Sequence, residues 1–332
     1  MESKIDFVVT WVDGGDTNWI KKKNEYVKEK NLANELNSES RYRDFNIFKY
    51  WFRSVEKYAP WVNKIFLITD KQVPSWLNKD YSKIELIDHK DYIEKDFLPT
   101  FNSNAIELNI HKIRNLSENF ILFNDDMYLN SYVEKDDFFK GNTPKDVYVE
   151  SPIMATKNSI DHTLVNNVEI INEQFDKFKF YRKNFTKVFN PKIGKKMVRT
   201  IALLPSKKFS GFWNSHLPVA YNKETFKQVW NLYERELKET SANKFRTAYD
   251  VNHWLMRYWQ LVSGNYEVQK SMGKVFDMNN DNLDEVLESL ENDKFKIICL
   301  NDNDELRDFE IVKQRLQEKF EKKFNKKSKF EL

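Results

Sequence analysis

The sequence predicts an α/β fold: a mostly parallel sheet flanked by helices, with a helical C-terminal part. Three observations carry this expectation. Short, β-branched apolar runs recur along the chain, stretches with helical spacing lie between them, and clusters of Asp, Asn and Gly follow several runs directly. Alternating strands and helices favour a parallel sheet, and such a sheet binds ligands beyond the carboxyl ends of its strands.

The first run, residues 5–10 (IDFVVT), ends at the turn signal Gly14-Gly15 and reads as a buried strand. Runs at 65–69 (IFLIT), 84–87 (IELI), 120–123 (FILF) and 297–300 (IICL) have the same character. Between them, 45–58 places Phe48, Phe52 and Val55 on one helical face, and 104–113 does the same with Ile106, Ile110 and Ile113. Residues 151–217 have no clear period and read as an insertion or lid. Helical spacing resumes at 223–237 and 249–261, the second with Tyr249, His253, Met256 and Trp259 in step. The expected organisation is an α/β core over 1–150, the insertion over 151–217, and a helical part with the last core strand over 218–312. A basic amphipathic helix over 313–332 completes it. There, eight basic and three acidic residues accompany apolar positions at 312, 316, 320 and 324. Such a helix either docks on the domain or lies on an anionic membrane surface.

Composition bounds the function. The 332 residues are 40% hydrophobic and 32% charged, with 54 Lys plus Arg against 51 Asp plus Glu, a net charge of +3. That is a globular composition with material for a large core. Cys299 is the only cysteine, which excludes a disulfide framework and a multi-thiolate zinc site and fits a reducing compartment. No apolar run reaches the ~18 residues of a membrane span, and the N-terminal run is too short for a signal-peptide core. A cytoplasmic protein, at most peripheral at the inner face of a membrane, is expected.

Six clusters could carry chemistry. Trp11 offers a stacking face, and Asp13-Gly14 directly after the first run can accept hydrogen bonds from a nucleoside, hold a metal, or simply form a turn. Asn124-Asp125-Asp126 puts two adjacent carboxylates at the end of a buried strand. Their repulsion and burial are costly unless a cation compensates. Oxygen ligands favour Mg²⁺ or Mn²⁺, which also grips substrate phosphates, so a phosphorylated substrate is implied; either Asp could be the ligand. Arg41 and Arg43 ahead of a helix, with Arg53 on a later turn, suit phosphate, or ion pairs with Asp44 or Glu56. The string 98–107 (LPTFNSNAIE) opens a helix at Asn102, Ser103 and Asn104, which can present N–H groups to an anion or act as ordinary caps. Ser215-His216-Leu217-Pro218, with Arg246 and Asp250 downstream, offers an imidazole able to take a proton. His89, His111, His162 and His253 read as structural. Finally, Asn301-Asp302-Asn303-Asp304 repeats the strand-then-acid arrangement and could supply further oxygen ligands or form an Asx turn.

In order and spacing these segments resemble the Stealth family of capsular polysaccharide phosphotransferases, which are similar to the catalytic domain of GlcNAc-1-phosphotransferase. The resemblance runs in four blocks: IDFVVTWVDGGD at 5–16; Arg41 through RYRDFNIFKYWFRSVEKYAPWVNKIFLITD and LPTFNSNAIELNIHKIRNLSENFILFNDDMYL to Leu129; Ser215 to Pro218 with Thr240, Phe245-Arg246 and Asp250; and ICLND at 298–302. Arg114-Asn115 stands where Pro-Gly is expected, and Asp13-Gly14-Gly15 where Asn-Gly-Ser is commoner. The resemblance implies transfer of a sugar-1-phosphate from a UDP-sugar to a glycan hydroxyl, with release of UMP. His216 would be the base; Arg43 and Arg246, with a metal at Asp125 or Asp126, would neutralise the diphosphate, since phosphoryl transfer is catalysed chiefly by positioning and electrostatics. Asp250 is placed in the same catalytic group.

Two other classes compete. A metal-dependent glycosyltransferase uses a related Rossmann-like or GT-A-like fold and would release UDP instead. A nucleic-acid-binding module is suggested by the aromatic and basic stretch 177–187 (KFKFYRKNFTK), although a net charge of +3 and the lack of a binding motif argue against it.

Overall fold

The computed structural model describes residues 3–28, 43–157, 159–302 and 306–332. Arg41, Asn303 and Asp304, singled out above, lie outside the described residues. In chain order the first half contains β1 (Ile5–Thr10), α1 (Thr17–Lys28), α2 (Phe48–Tyr58), β2 (Ile65–Thr69), β3 (Ile84–Asp88), α3 (Ser103–Leu108), β4 (Asn119–Asn124), β5 (Met127–Leu129), β6 (Phe139–Lys140) and β7 (Thr143–Asp146). The second half continues with α4 (Asp161–Gln174), α5 (Lys177–Lys183), α6 (Phe185–Val188), α7 (Met197–Ala202), β8 (Val219–Asn222), α8 (Lys223–Leu232), α9 (Glu234–Ala242), α10 (Trp254–Ser263), β9 (Glu267–Val268), β10 (Gly273–Asp277), α11 (Leu283–Glu291), β11 (Ile297–Asn301) and α12 (Phe309–Lys323).

The fold is α/β, as the alternation of runs predicts. The main sheet has the order β3-β2-β1-β4-β8. Its β1–β2, β2–β3 and β1–β4 pairs are parallel, and only β4–β8 is antiparallel. The strand order reverses beside β1, between β2 on one side and β4 on the other, which is where open parallel sheets place their ligands. Both faces of β1 are covered: Phe7 and Val9 belong to one core, Val8 to the other, and all three are fully buried. That two-sided burial explains why β1 reads as a continuous apolar run rather than an alternation.

The run at 297–300 becomes β11, but it does not join the main sheet. It sits in a second sheet of order β10-β11-β5, parallel to β10 and antiparallel to β5. Because β5 follows β4 after only the two residues Asp125 and Asp126, the second sheet is stitched to the carboxyl end of the first. Leu300 N–H donates to Asp126 O at 2.9 Å and strengthens that junction.

Residues 151–217 are more ordered than their weak periodicity suggests. Among the described residues they form four α-helices and a 3-10 segment over Pro191–Lys196, whose inward residues, including Ile171, Phe180, Tyr181, Val188 and Ile193, belong to the second core. The pattern was hard to read because the buried positions are shared among short helices of 4 to 14 residues. The stretch 223–237 is likewise two helices, α8 and α9, broken at Tyr233.

The C-terminal stripe is not free to meet a membrane. Val312, Leu316, Phe320 and Phe324 are all buried, and Phe320 packs between Tyr50 and Tyr128. Arg53, expected as a candidate phosphate ligand, instead grips Glu331 with two hydrogen bonds of 2.8 Å and donates to Phe324 O at 2.5 Å. The chain end is thereby pinned to α2, and the docked alternative for this helix is the one the packing realises.

Candidate active site

A cavity of about 300 Å³ lies over the carboxyl ends of the strands. Trp11 follows β1, Asp70 follows β2, His89 follows β3, Asp125 and Asp126 follow β4, and Asn301 and Asp302 close β11; all line it. From the rest of the chain come Arg43, Asp44, Ser103, Glu107, His216 and Arg246. This size is at the lower end for a small-ligand site.

Of the residues expected from sequence, Trp11, Arg43, Ser103, Asp125, Asp126, His216, Arg246, Asn301 and Asp302 converge on this cavity. Trp11 stacks on Phe48 with ring centroids 5.6 Å apart and planes 6° from parallel. Arg43 is bidentate to Asp302, at 2.9 Å from Nε and 2.8 Å from Nη2. The carboxylate expected to bind metal is thus already matched to a guanidinium. Asn301 donates from Nδ2 to Asp277 at 2.7 Å, so its amide nitrogen is also engaged.

Five expected residues stand outside the lining. Asp13 caps the turn, its Oδ1 accepting from Gly15 N–H at 2.9 Å, while its backbone is held by Gln72. Gly14 belongs to that turn. Asp250 is fully buried and accepts from Asn102, Asn104 and Asn243 side chains, from Thr247 Oγ1 and from Thr247 N–H. It is a knot tying the start of α3 to residues 243–250, and the amides of Asn102 and Asn104 serve that knot instead of an anion. A buried carboxylate with five donors has no lone-pair direction left for chemistry. Its role is positioning, since Arg246 and Ser103 flank the knot and Arg246 Nη2 donates to Ser103 Oγ at 2.6 Å. Asp250→Ala should therefore destabilise the fold by about 3 kcal/mol or more, because buried donors lose their acceptor. A urea midpoint unchanged from the parent would contradict this.

The acids at the end of β4 show the strain anticipated from sequence. Asp125 is pushed up to about 8 by burial first, then by the charges of Asp126 and Asp44. Asp44 is itself raised, mainly by burial. Asp126 Oδ1 is buried with no hydrogen-bond partner among the described residues. An orphaned carboxylate oxygen beside two further acids fits a hard divalent cation. Asp126, His216 and Cys299 also place one ligand atom each within 4.8 Å of one another. The thiol, however, donates to Asp126 Oδ2 at 3.4 Å and is raised well above its ordinary value by burial and by Asp126. A protonated thiol is a poor ligand, so the oxygen set is the better match.

His216 has a left-handed backbone, φ 46°, a strained conformation for a non-glycine residue that aims the side chain rather than stabilising the loop. Its Nε2 stands 3.9 Å from Asp126 Oδ2, a charge contact longer than a hydrogen bond. Burial alone would lower its pKa, but Asp126, with help from Asp277 and Glu107, raises it above the ordinary 6.5.

Glu107, the last residue of the string 98–107, was given no role from sequence. It falls with Ser103 and Ile106 on the cavity face of α3, at i, i+3 and i+4. Behind it, His253 Nε2 is 3.6 Å from Glu107 Oε2, and His253 Nδ1 is 2.8 Å from the Tyr221 hydroxyl. Tyr221 also donates to His253 O at 3.0 Å. Because the hydroxyl has one proton and the carbonyl only accepts, Nδ1 must donate to Tyr221, leaving Nε2 bare toward Glu107. Burial keeps His253 neutral, lowered to about 3, and pushes Glu107 up to about 7, with Arg246 and His216 opposing. A bare nitrogen facing a buried carboxyl favours the protonated acid.

The folded value near 7 for Glu107 lies above the ordinary 4.5 of the unfolded chain, so the native state binds the proton more tightly. The unfolding free energy therefore falls as pH rises from 4.5 to about 7, by up to roughly 3 kcal/mol. Glu107→Gln should flatten that part of the pH–stability curve, and an unchanged slope in urea titrations would refute the assignment.

Three family models match the chain: Stealth protein conserved region 1 over residues 3–30, conserved region 2 over 41–147 and conserved region 3 over 215–262. Trp11 falls in the first; Arg43, Glu107, Asp125 and Asp126 in the second; His216 and Arg246 in the third. The chain is 49% identical over 332 residues to the capsular polysaccharide phosphotransferase WcwK of Streptococcus pneumoniae, covering 99% of this chain and 98% of that protein. It is 42% identical over 330 residues to the exopolysaccharide phosphotransferase cps2G of Lactiplantibacillus plantarum, covering 98% and 96%. It is 43% identical over 314 residues to the receptor polysaccharide phosphotransferase WefC of Streptococcus oralis, covering 93% and 94%. With identity at this level along nearly the whole length of each relative, and with most of the cavity residues inside the matched regions, the chain belongs to the Stealth family and is a phosphotransferase.

Proposed function

We propose that the enzyme transfers a hexose- or hexosamine-1-phosphate from a UDP-sugar to a hydroxyl of a capsular or cell-wall glycan, forming a phosphodiester and releasing UMP. The polysaccharide phosphotransferase names of its relatives support the glycan acceptor. The observation that carries the reading is that His216, Arg246, Asp125 and Asp126, far apart in sequence, line one cavity.

On this reading residues 1–150 supply the donor side and residues 218–312, with the His216 loop, complete the site. Asp125 and Asp126 would hold Mg²⁺ or Mn²⁺. When bound, such a cation neutralises diphosphate charge and polarises phosphoryl oxygens. Trp11, braced on Phe48, offers a stiff wall to the uracil base. The acceptor oxygen attacks the phosphorus that bears the sugar while its proton passes to the His216 imidazole. The bond from that phosphorus to the bridging oxygen breaks, and its electron pair leaves with UMP. Arg246, held by Ser103, faces the charge that develops on the phosphoryl oxygens. Glu107, protonated below about 7, has a proton available to the departing phosphate.

Incubation with Mg²⁺, a panel of UDP-sugars and capsule fragments, followed by phosphorus NMR, tests the reading. A new diester resonance together with UMP is expected. UDP as the nucleotide product would mean glycosyl transfer and would overturn it.

A further inference from the structure

Residues 177–208 contain eleven Lys and Arg and no Asp or Glu, in a chain whose net charge is only +3. The rest of the protein is therefore net acidic, although residues 313–332 carry a further local excess of positive charge. Among the described residues the one ion pair made by this segment is internal, Lys177 to Glu150 at 3.0 Å, with both side chains wholly buried. Lys177 also donates to Leu203 O at 2.8 Å, which ties the start of α5 to the end of α7. Other lysines, such as Lys187 on Gly264 O and Tyr266 O, pin the segment to the core. The inward face is apolar and buried, through Phe180, Tyr181, Val188, Ile193 and Phe209. The outward face carries Lys179, Arg182, Lys183, Lys195, Lys196 and Lys207, all exposed.

Exposed apolar side chains are interspersed with these cations. Phe178 is 44% exposed, Phe185 63%, Val198 65% and Ile201 47%. The combination separates two occupants. A nucleic acid needs the charge but gains little from exposed Val and Ile, whereas a bilayer uses both: anionic headgroups attract the cations and the apolar side chains enter the acyl boundary. We propose that the surface formed by residues 177–208 docks the enzyme on an anionic lipid bilayer. The docking face leads directly into the catalytic loop, since Lys208 precedes His216 by eight residues, with Gly211 O accepting from Ser151 N–H at 3.2 Å in between. This assignment replaces the C-terminal helix, whose apolar stripe is spent on the core.

The test uses the full chain and sedimentation with phosphatidylcholine vesicles, with and without phosphatidylglycerol. Binding is expected only to the anionic vesicles at low salt, and high salt should release the protein. Each cation near such a surface is worth a factor of roughly five, so R182E/K183E/K195E, which removes three cations and adds three anions, should weaken partition by at least about 100-fold. F185S/V198S/I201S should weaken it further at salt concentrations where charge is screened. Both variants should retain the parent's turnover on water-soluble substrates, which also reports that they fold. No preference for anionic vesicles, or full binding by R182E/K183E/K195E, would overturn the proposal. So would tight binding of a random duplex oligonucleotide, without binding to the vesicles, that F185S/V198S/I201S leaves unchanged.

Discussion

Replacing His216 with Ala should lower turnover by about 10²- to 10⁴-fold while leaving affinity for the sugar nucleotide within a few-fold of the parent, the signature of a lost general base. The geometry supports this split. His216 lines the cavity from a loop with a left-handed backbone, and its described charge partner is Asp126 rather than any group that would bind the nucleoside. With no cation on Asp126, that charge raises the His216 pKa above 6.5; a cation held there offsets the pull, so adding Mg²⁺ should lower the pH at which the unprotonated imidazole becomes abundant. Single-turnover kinetics with a saturating donor would measure the effect; a His216→Ala enzyme with undiminished turnover would remove the base from the mechanism.

Asp126→Asn is the second large effect, and its sign differs between stability and activity. Asp126 brings together the unpartnered Oδ1, the Cys299 thiol on Oδ2 and the charge that faces His216. Neutralising it removes a repulsion that helps push Asp125 up to about 8. In a chelator, the variant should therefore be at least as stable as the parent. Adding Mg²⁺ or Mn²⁺ should then raise the parent's melting temperature more than the variant's, because ligand binding stabilises by mass action. Activity should fall by at least about 10²-fold, comparable with loss of a charge-stabilising group in other sites. Equal stabilisation of both proteins by the cation would show that Asp126 is not a ligand.

The parts of this site that were legible in sequence share a property: they follow a strand whose burial is obvious. The acids after β4 stand out because two carboxylates at the end of FILF are costly without compensation, and Trp11 stands out for the same positional reason. Glu107 is not legible because its meaning lies in the chain of contacts through His253 to Tyr221, which spans 146 and then 32 residues of sequence, with each residue alone looking like a packed helix or strand member. Asp250 and Asp13 were overvalued for the converse reason. An acid in a suggestive segment cannot reveal how many backbone and amide donors will fold around it.

Sequence alone therefore determined the class of fold, the family and the crowding of two acids at residues 125 and 126, because short buried strands and adjacent acids impose costs that are local to the chain. The three-dimensional packing decided which candidates share one cavity, that Arg53 and the C-terminal stripe are structural, and that Arg43 is paired with Asp302. Those outcomes depend on distances between residues hundreds of positions apart, and hydrogen-bond partners and low-dielectric surroundings exist only once the chain has folded.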